Sequence, residues 1–345
     1  MAFNKEIFEL ARYAAQGKGY VANSETYSAR DVESSLKEEL SKYIGNFYKF
    51  QQNKYDLYEL IGTTIDQVLP QRVEATMGQF AEIVNLAQGQ RQTFKKKLGR
   101  QRAKQFIGRV SPAGIYETFR LDSENFEVYT HAIGGGVRID FERYISGLED
   151  WSELIQIVMD GLETEVYKEI ALELQASYNA VGRPANTKYA TGSFVAAQMR
   201  NLVNTIRTYG DGAVIFATAQ FINAMDEATV YATSQNPSVS LSDIEDLRRT
   251  GRLSMFYGAP IVEIPNAYED ETNTGNMQIN PEFAYILPVS GQKIVKVVFE
   301  GDTLVNDLGQ LAGDYSMEMM VYKKFGTAIM YTNNWGIYQN TALQA

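Results

Sequence analysis

The chain contains one histidine, His131, which is the residue type best suited to acid–base chemistry near neutral pH. A general base needs a partner that orients it, and a metal ion needs further ligands, yet the neighbouring sequence marks neither. A Ser/His/Asp triad built on His131 stays open, although the sequence has no GxSxG motif to supply its nucleophile. We therefore expect a structural role for His131, with no catalytic residue and no metal.

Among the sequence motifs, a run of three glycines is the one most similar to a phosphate-binding loop: Gly134, Gly135 and Gly136. Such a loop opens a helix, whereas these glycines precede the alternating, strand-like residues 137–142. The sequence also lacks GxxxxGK[ST] and GxGxxG. We therefore predict a bend or a bulge at the glycines and no nucleotide cofactor.

Carboxylates are concentrated between residues 149 and 173, opposed only by Lys168: Glu149, Asp150, Glu153, Asp160, Glu163, Glu165, Glu169 and Glu173. A close pair of carboxylates is the catalytic apparatus of a glycosidase. Carboxylates distributed along a helix are more typical of a solvated or ion-paired face. We favour that second interpretation and expect an acidic surface along one helix.

Residues 88–109 have the opposite character, since they hold eight basic residues and no carboxylate in a chain of net charge -10. The basic residues are Arg91, Lys95, Lys96, Lys97, Arg100, Arg102, Lys104 and Arg109. A solvated charge run, nucleic-acid binding and a protein contact are three explanations. Nucleic-acid binding would favour more interleaved aromatic residues than Phe94 and Phe106. We favour contact with the acidic helix of another copy of the chain.

The elements around these charges are predicted from apolar spacing. Residues 1–66 show short helical stripes, the last of which is expected to end at Pro70, and they suggest an arm that packs on something else. Residues 71–127 lose the helical period and suggest a long hairpin with the basic residues near its tip. A stripe from Trp151 to Leu174 predicts a helix over 150–177, which we call the spine helix.

The remaining chain predicts an α/β unit followed by antiparallel strands. Residues 194–208 and TAQFINAMDEA suggest helices, GAVIFAT and GAPIVEIPN suggest strands, and SDIEDLRRTG suggests a short capped helix. The segments from Gln278 to Asp307 and from Asp314 to Gln339 suggest antiparallel strands with turn residues between them. The predicted fold class is α+β.

Composition limits the function classes. The 345 residues are 45% hydrophobic and 21% charged, which is typical of a soluble globular protein. The absence of cysteine excludes disulfides and thiolate metal sites. We expect no membrane segment, because no apolar run approaches the ~20 residues that span a bilayer.

This order of parts resembles the major capsid protein of tailed bacteriophages, whose fold is shared with encapsulins and the herpesvirus capsid floor. VRIDFERYISGLEDWSELIQIVMDGLETEVYKEIALEL resembles the entry into the spine helix of that family, and GAVIFATAQFINAM with LRRTGRLSMFYGAPIVEIPN resembles its axial domain. The resemblance implies an N-terminal arm (1–70), an extended loop (71–127), a peripheral domain (128–178 and 286–345) and an axial domain (179–285).

The same resemblance implies a function. The chain is expected to form pentamers and hexamers of an icosahedral phage head shell in the host cytoplasm, with the basic loop lying over the spine helix of a neighbouring subunit. A separate scaffolding protein, a portal and packaged double-stranded DNA are the expected partners. Some family members cross-link a loop lysine to an asparagine, but nothing singles out such a pair here. An encapsulin-like cargo compartment and a nucleic-acid-binding protein using residues 91–109 are the alternatives.

Overall fold

The computed structural model describes residues 5–22, 25–78, 81–95, 125–140, 143, 151–179, 185–209, 212–227, 252–268, 272, 277–289, 293–307, 316–330 and 335–343. Its first elements in chain order are α1 (Lys5–Gln16), β1 (Tyr20–Ala22), β2 (Glu25–Tyr27), α2 (Ala29–Ile44), α3 (Phe47–Met77), β3 (Ala81–Leu86), β4 (Thr93–Lys95), β5 (Asn125–Glu127) and β6 (His131–Asp140). The spine helix is α4 (Trp151–Ala176).

Two short 3₁₀ turns, Ser177–Asn179 and Ala185–Thr187, follow the spine helix. The later elements are β7 (Lys188–Thr191), α5 (Ala196–Tyr209), β8 (Ala213–Ala217), α6 (Ala219–Asp226), β9 (Met255–Phe256), β10 (Ala259–Glu263), β11 (Phe283–Pro288), β12 (Val295–Asp307), β13 (Ser316–Ile329) and β14 (Gly336–Asn340). The predicted α+β class is confirmed. None of the described helices is long and apolar enough to cross a membrane.

The N-terminal helices pack on the rest of the subunit. Ser28 caps α2 in a capping box with Asp31, and the Asn46 side chain caps α3 by accepting from the Lys49 N–H at 2.8 Å. Their buried apolar rows belong to the same hydrophobic core as the spine helix: Ile7, Ala11, Val32, Leu36, Leu40, Ile44, Leu57, Ile61 and Ile65. The described part of the predicted arm therefore packs against its own chain.

Helix α3 continues through Pro70 to Met77, so the prediction that it ends at Pro70 was wrong. Proline removes one backbone hydrogen bond and strains the preceding turn. The extra turns persist because Val73 and Met77 are buried in the core. Residues 71–77, which were predicted to open the extended loop, are consequently helical.

A four-stranded sheet of order β3-β12-β13-β6 supports the spine helix. The long strands β12 and β13 pair antiparallel, β6 pairs antiparallel with β13, and β3 pairs parallel with β12. Helices α3 and α4 pack over one face of this sheet, where Val321 and Phe325 are buried. The sheet and these two helices thus place the spine helix beside β6.

The glycines at 134–136 do not form the predicted bend. Strand β6 pairs with β13 without interruption from His131 opposite Phe325 to Asp140 opposite Ser316. At Gly134 a Cβ atom would lie 2.2 Å from the carbonyl oxygen of Val321, so no larger residue fits this close approach. The glycines therefore extend the strand.

The second large sheet has six strands in the order β7-β14-β11-β8-β10-β9. Strand β8 is buried at all five positions and pairs parallel with β10, as expected for a strand covered by helices on both faces. The predicted helices at 194–208 and after β8 correspond to α5 and α6. The helix predicted within SDIEDLRRTG lies outside the described residues.

The C-terminal strands divide between the two sheets. Strands β12 and β13 belong to the four-stranded sheet, whereas β11 and β14 pair antiparallel within the six-stranded sheet. All six residues of β11 are buried, which requires cover on both faces and explains its central position. Residues 286–345, which were assigned to the peripheral domain, therefore contribute to both sheets.

Candidate functional site

The base of the predicted hairpin is present in the structure. Strands β4 and β5 pair antiparallel, with Phe94 opposite Phe126 and their stacked ring centroids 5.7 Å apart. Phe94 and Val128 are buried against Val298 of β12. The hairpin base therefore lies on the face of the four-stranded sheet opposite to α3 and α4.

A buried cation lies beneath this base. Lys296 of β12 is fully buried, its Nζ atom lies 5.2 Å from the centroid of the Phe94 ring, and it forms an ion pair with Glu82 of β3. A lysine placed over an aromatic face is attracted by the ring quadrupole. Lys296 thus links the hairpin base to β3 as well as to β12.

Only two of the eight predicted basic residues fall within the described chain. Arg91 is largely exposed, and its guanidinium lies 3.7 Å from the Glu127 carboxylate at the other side of the hairpin base. Lys95 ends β4 and faces solvent. The other six lie outside the described residues: Lys96, Lys97, Arg100, Arg102, Lys104 and Arg109.

The carboxylates of the spine helix project to two sides rather than one. At about 100° per residue, Glu153, Asp160 and Glu163 lie on one side and Glu165, Glu169 and Glu173 on the other. The expectation of one acidic face was therefore wrong, because the apolar stripe drifts around the helix along its length. Glu149 and Asp150 lie outside the described residues.

On the first side, Arg72 of α3 neutralises two of the carboxylates. Its guanidinium lies 2.6 Å from Asp160 and 3.3 Å from Glu163, and it also donates to the backbone carbonyl of Ala15. Glu163 additionally accepts the Tyr167 hydroxyl. Asp160 stays two-thirds exposed, so that side of the helix still offers Glu153 and Asp160 to a partner.

On the second side, Glu169 is engaged within the subunit. It lies 3.1 Å from Nε2 of His131 and accepts the Thr327 hydroxyl at 3.0 Å. Burial raises the pKa of Glu169, and the nearby His131 works in the opposite direction. Glu165 is exposed and Glu173 is half-buried.

The His131 cluster does not have the arrangement of a catalytic triad. In a triad the nucleophile bonds the histidine, but here the Thr327 hydroxyl and His131 both bond the Glu169 carboxylate. The His131 ring also packs against Phe325, with centroids 4.9 Å apart. Across the described ranges, no group of three or more His, Asp or Glu side chains is placed to hold a metal ion.

An open groove of about 480 Å³ separates β6 from the spine helix. Its walls include Ile133 and Gly135 on the strand and Ile157, Gly161 and Glu165 on the helix. Ile157 lines the groove and is 62% exposed. The accessible surface of the spine helix is therefore partly apolar, and its sequence pattern of carboxylates did not indicate this.

Sequence reasoning missed Arg72, Lys296 and Glu300, which organise this region. Arg72 lies inside a helix predicted to have ended, and Lys296 lies in an alternating strand where a lysine suggests an exposed position. None of the three carries a local sequence signal, because each acts on residues distant in the chain.

Comparison with known proteins identifies the family. The family model described as "SPbeta prophage-derived putative capsid protein YonB" matches residues 11–339. The chain belongs to this family. The resemblance to phage capsid proteins inferred from the sequence is confirmed, and the fold and virion location are those of a capsid protein.

One solved phage capsid agrees with the capsid family in fold. The capsid of cyanophage P-SCSP1u aligns with a TM-score of 0.51 and 11% identity, over 76% of this chain and 86% of that chain. A virus-like particle from Pyrococcus furiosus aligns with a TM-score of 0.47 and 12% identity, over 82% of this chain and 99% of that chain. No significant match was found among curated proteins.

Proposed function

We propose that this capsid protein is the major subunit of an icosahedral phage head, assembling through pentamers and hexamers into the shell that encloses the genome. Membership of a capsid family over residues 11–339 carries the proposal. The two sheets, the spine helix and the hairpin base supply the expected parts of such a subunit.

The contact between subunits joins the basic hairpin of one copy to the spine helix of another. The hairpin contributes Arg91, Lys95, Lys96, Lys97, Arg100, Arg102, Lys104 and Arg109. The helix contributes the accessible carboxylates Glu153, Asp160 and Glu165, while Glu163 and Glu169 act mainly within their own subunit. Exposed ion pairs each stabilise by only about 0.2–1 kcal/mol, so misplaced subunits can leave while many pairs together hold a shell.

The shell subunit is a structural protein without catalytic activity. The only histidine is held by Glu169 and Phe325, and the described hydroxyl beside it bonds the carboxylate. A separate scaffolding protein, a portal and double-stranded DNA packaged without sequence-specific binding are its proposed partners, and assembly occurs in the host cytoplasm.

Negative-stain electron microscopy of the purified chain, expressed with and without a candidate scaffolding protein, tests the proposal. Closed shells, tubes or capsomer rings are expected. A homogeneous monomer under both conditions would contradict it. Particles that carry protein cargo instead of DNA would favour the encapsulin-like alternative, and a steep loss of DNA affinity with added salt, without particles, would favour the nucleic-acid-binding alternative.

A further inference from the structure

Glu300 uses both oxygens of one carboxylate within its own chain. It lies in β12 opposite Lys324 of β13 and Leu86 of β3, and its side chain is only 10% exposed. Its Oε1 atom accepts the backbone N–H of Gly89 at 2.9 Å, and its Oε2 atom accepts the Thr130 hydroxyl. The Lys324 ammonium lies 4.0 Å away. Each oxygen of the carboxylate therefore binds a different donor.

The two donors mark the two ends of the hairpin. Gly89 lies before β4, and Thr130 lies after β5, so every residue of the hairpin falls between them. Glu300 bonds both of these ends. One side chain therefore holds the outgoing and returning legs to the same point of the sheet.

Local backbone geometry makes each leg lie close to Glu300. Gly89 has φ +80 in a turn closed by the Gln90 N–H to Ala87 carbonyl bond of 3.1 Å. On the returning leg, a Cβ atom at Gly326 would lie 2.2 Å from the carbonyl oxygen of Tyr129, so that residue 129 rests directly on β13. The returning leg therefore lies against β13 at Gly326.

The position of Glu300 is itself fixed from the other face of the sheet. It precedes a β-bulge between Glu300 and Leu304. The Gly301 carbonyl accepts from the Lys323 ammonium at 2.7 Å, and the Thr303 N–H donates to Asp66 of α3 at 2.9 Å. The buried Lys323 and the partly buried Asp66 also form an ion pair. The carboxylate that holds the hairpin is thus anchored to α3.

The charged form of Glu300 is the one that binds. The Thr130 hydroxyl and the Gly89 N–H lower the pKa of Glu300 below its ordinary value. Hydrogen bonds to an ionised acceptor are stronger than neutral ones.

We propose that Glu300 is a positioning residue for assembly: by binding Gly89 and Thr130 together, it fixes the direction in which the basic hairpin leaves the subunit. The inference rests on the proposed function. Phe94 and Lys296 fix the depth of the hairpin base on the sheet, while Glu300 fixes its two legs relative to each other.

Hydrogen exchange and electron microscopy on the full-length protein test this role with Glu300→Ala, Glu300→Gln and Thr130→Val. In the unassembled Glu300→Ala protein, the Gly89 amide should exchange at least about tenfold faster, as expected for loss of a charge-assisted bond. Closed shells should give way to open or irregular assemblies. Glu300→Gln should be intermediate, because glutamine has an oxygen at only one of the two positions that accept from Gly89 and Thr130.

Glu282→Ala provides the matched control, since this half-buried carboxylate accepts from Gln339 of the six-stranded sheet. It should leave both the Gly89 exchange rate and the shells unchanged. If Glu300→Ala fails to fold, Thr130→Val releases one leg while keeping the carboxylate, and should still raise the fraction of irregular assemblies.

Two results separate this inference from the proposed function. If the wild-type chain assembles and Glu300→Ala forms normal shells, the positioning role is overturned, whatever the exchange rate. If the wild-type chain never assembles, the proposed function fails. Unchanged exchange at Gly89 in Glu300→Ala overturns the hold of Glu300 on the hairpin independently of assembly.

Discussion

Arg72 of α3 binds Asp160 of the spine helix with a separation of 2.6 Å between Nη1 and Oδ1. The same guanidinium reaches Glu163 and the carbonyl of Ala15, so one side chain joins α1, α3 and α4. The N-terminal helices are thereby fastened to the element expected to form the contact between subunits.

Replacing Arg72 by alanine should lower the free energy of unfolding by about 1–3 kcal/mol, because a half-buried Glu163 loses its cation and the Ala15 carbonyl loses a donor. Asp160→Asn should cost less than about 1 kcal/mol, since Asp160 is two-thirds exposed. Chemical denaturation of the unassembled protein measures both. Equal losses in the two variants would contradict the proposed linking role of Arg72.

Reversing Lys95, Lys96 and Lys97 to glutamate should leave the unassembled subunit folded and block shell formation. The reason is electrostatic: the hairpin would then repel the accessible carboxylates Glu153 and Glu165. Light scattering during assembly is the measurement. Adding Glu153→Lys and Glu165→Lys to the same chain should restore part of the assembly, and normal shells from the lysine reversal alone would refute charge pairing.

Gly161→Ala should stabilise the unassembled subunit by about 0.5–1 kcal/mol, because alanine favours the helix and its Cβ meets no atom within 4 Å. Gly62→Ala in α3 is the contrasting variant, since its Cβ would lie 2.8 Å from the Thr303 carbonyl oxygen and should destabilise. Thermal unfolding distinguishes them. If another subunit covers the groove beside β6, Gly161→Ala should also reduce shell yield, whereas an uncovered groove predicts unchanged yield.

Asp226 gives the subunit a distinct pH dependence. Burial raises the pKa of Asp226 to about 6, with the Leu253 N–H acting in the opposite direction. The protonated Asp226 stabilises the folded state, and this contribution is complete at pH values below the pKa of the group in the unfolded chain. The contribution, on the order of 2–3 kcal/mol, is lost as pH rises through about 6. Asp226→Asn should flatten the dependence of the unfolding free energy on pH between 4 and 7, by the amount that the titration of about one carboxyl group contributes. Urea titrations at a series of pH values measure this dependence, and an unchanged slope would contradict the assignment.

The elements with strong local patterns were predictable from sequence. The stripe through Leu154, Val166 and Leu174 predicted the spine helix, and the uninterrupted apolar run at 213–217 predicted β8. Pro70 misled the prediction because tertiary burial of Val73 and Met77 outweighs the local cost of proline. A propensity argument does not include that burial.

Features that depend on distant partners were not predictable. The sequence predicted that the carboxylates of the spine helix form one surface, but Arg72 and His131 bind them from opposite sides. Strands β11 and β14 were predicted as antiparallel strands together with β12 and β13, and only sheet topology assigns them to the other sheet. The charges in the sequence predicted a contact between the basic hairpin and the spine helix. The roles of individual residues in the subunit could be assigned only from the three-dimensional structure.

The parallel pairing of β3 with β12 has a consequence for the timing of synthesis. Ala81 pairs with Val295 and Leu86 with Glu300, so the first strand of the sheet waits for a partner made more than two hundred residues later. Such non-local pairing is slow, and the waiting strand stays exposed meanwhile. Since Glu300 lies on that late strand, the two bonds that we propose to position the hairpin can form only after β12 has been made. A chain that ends before β12 therefore lacks them.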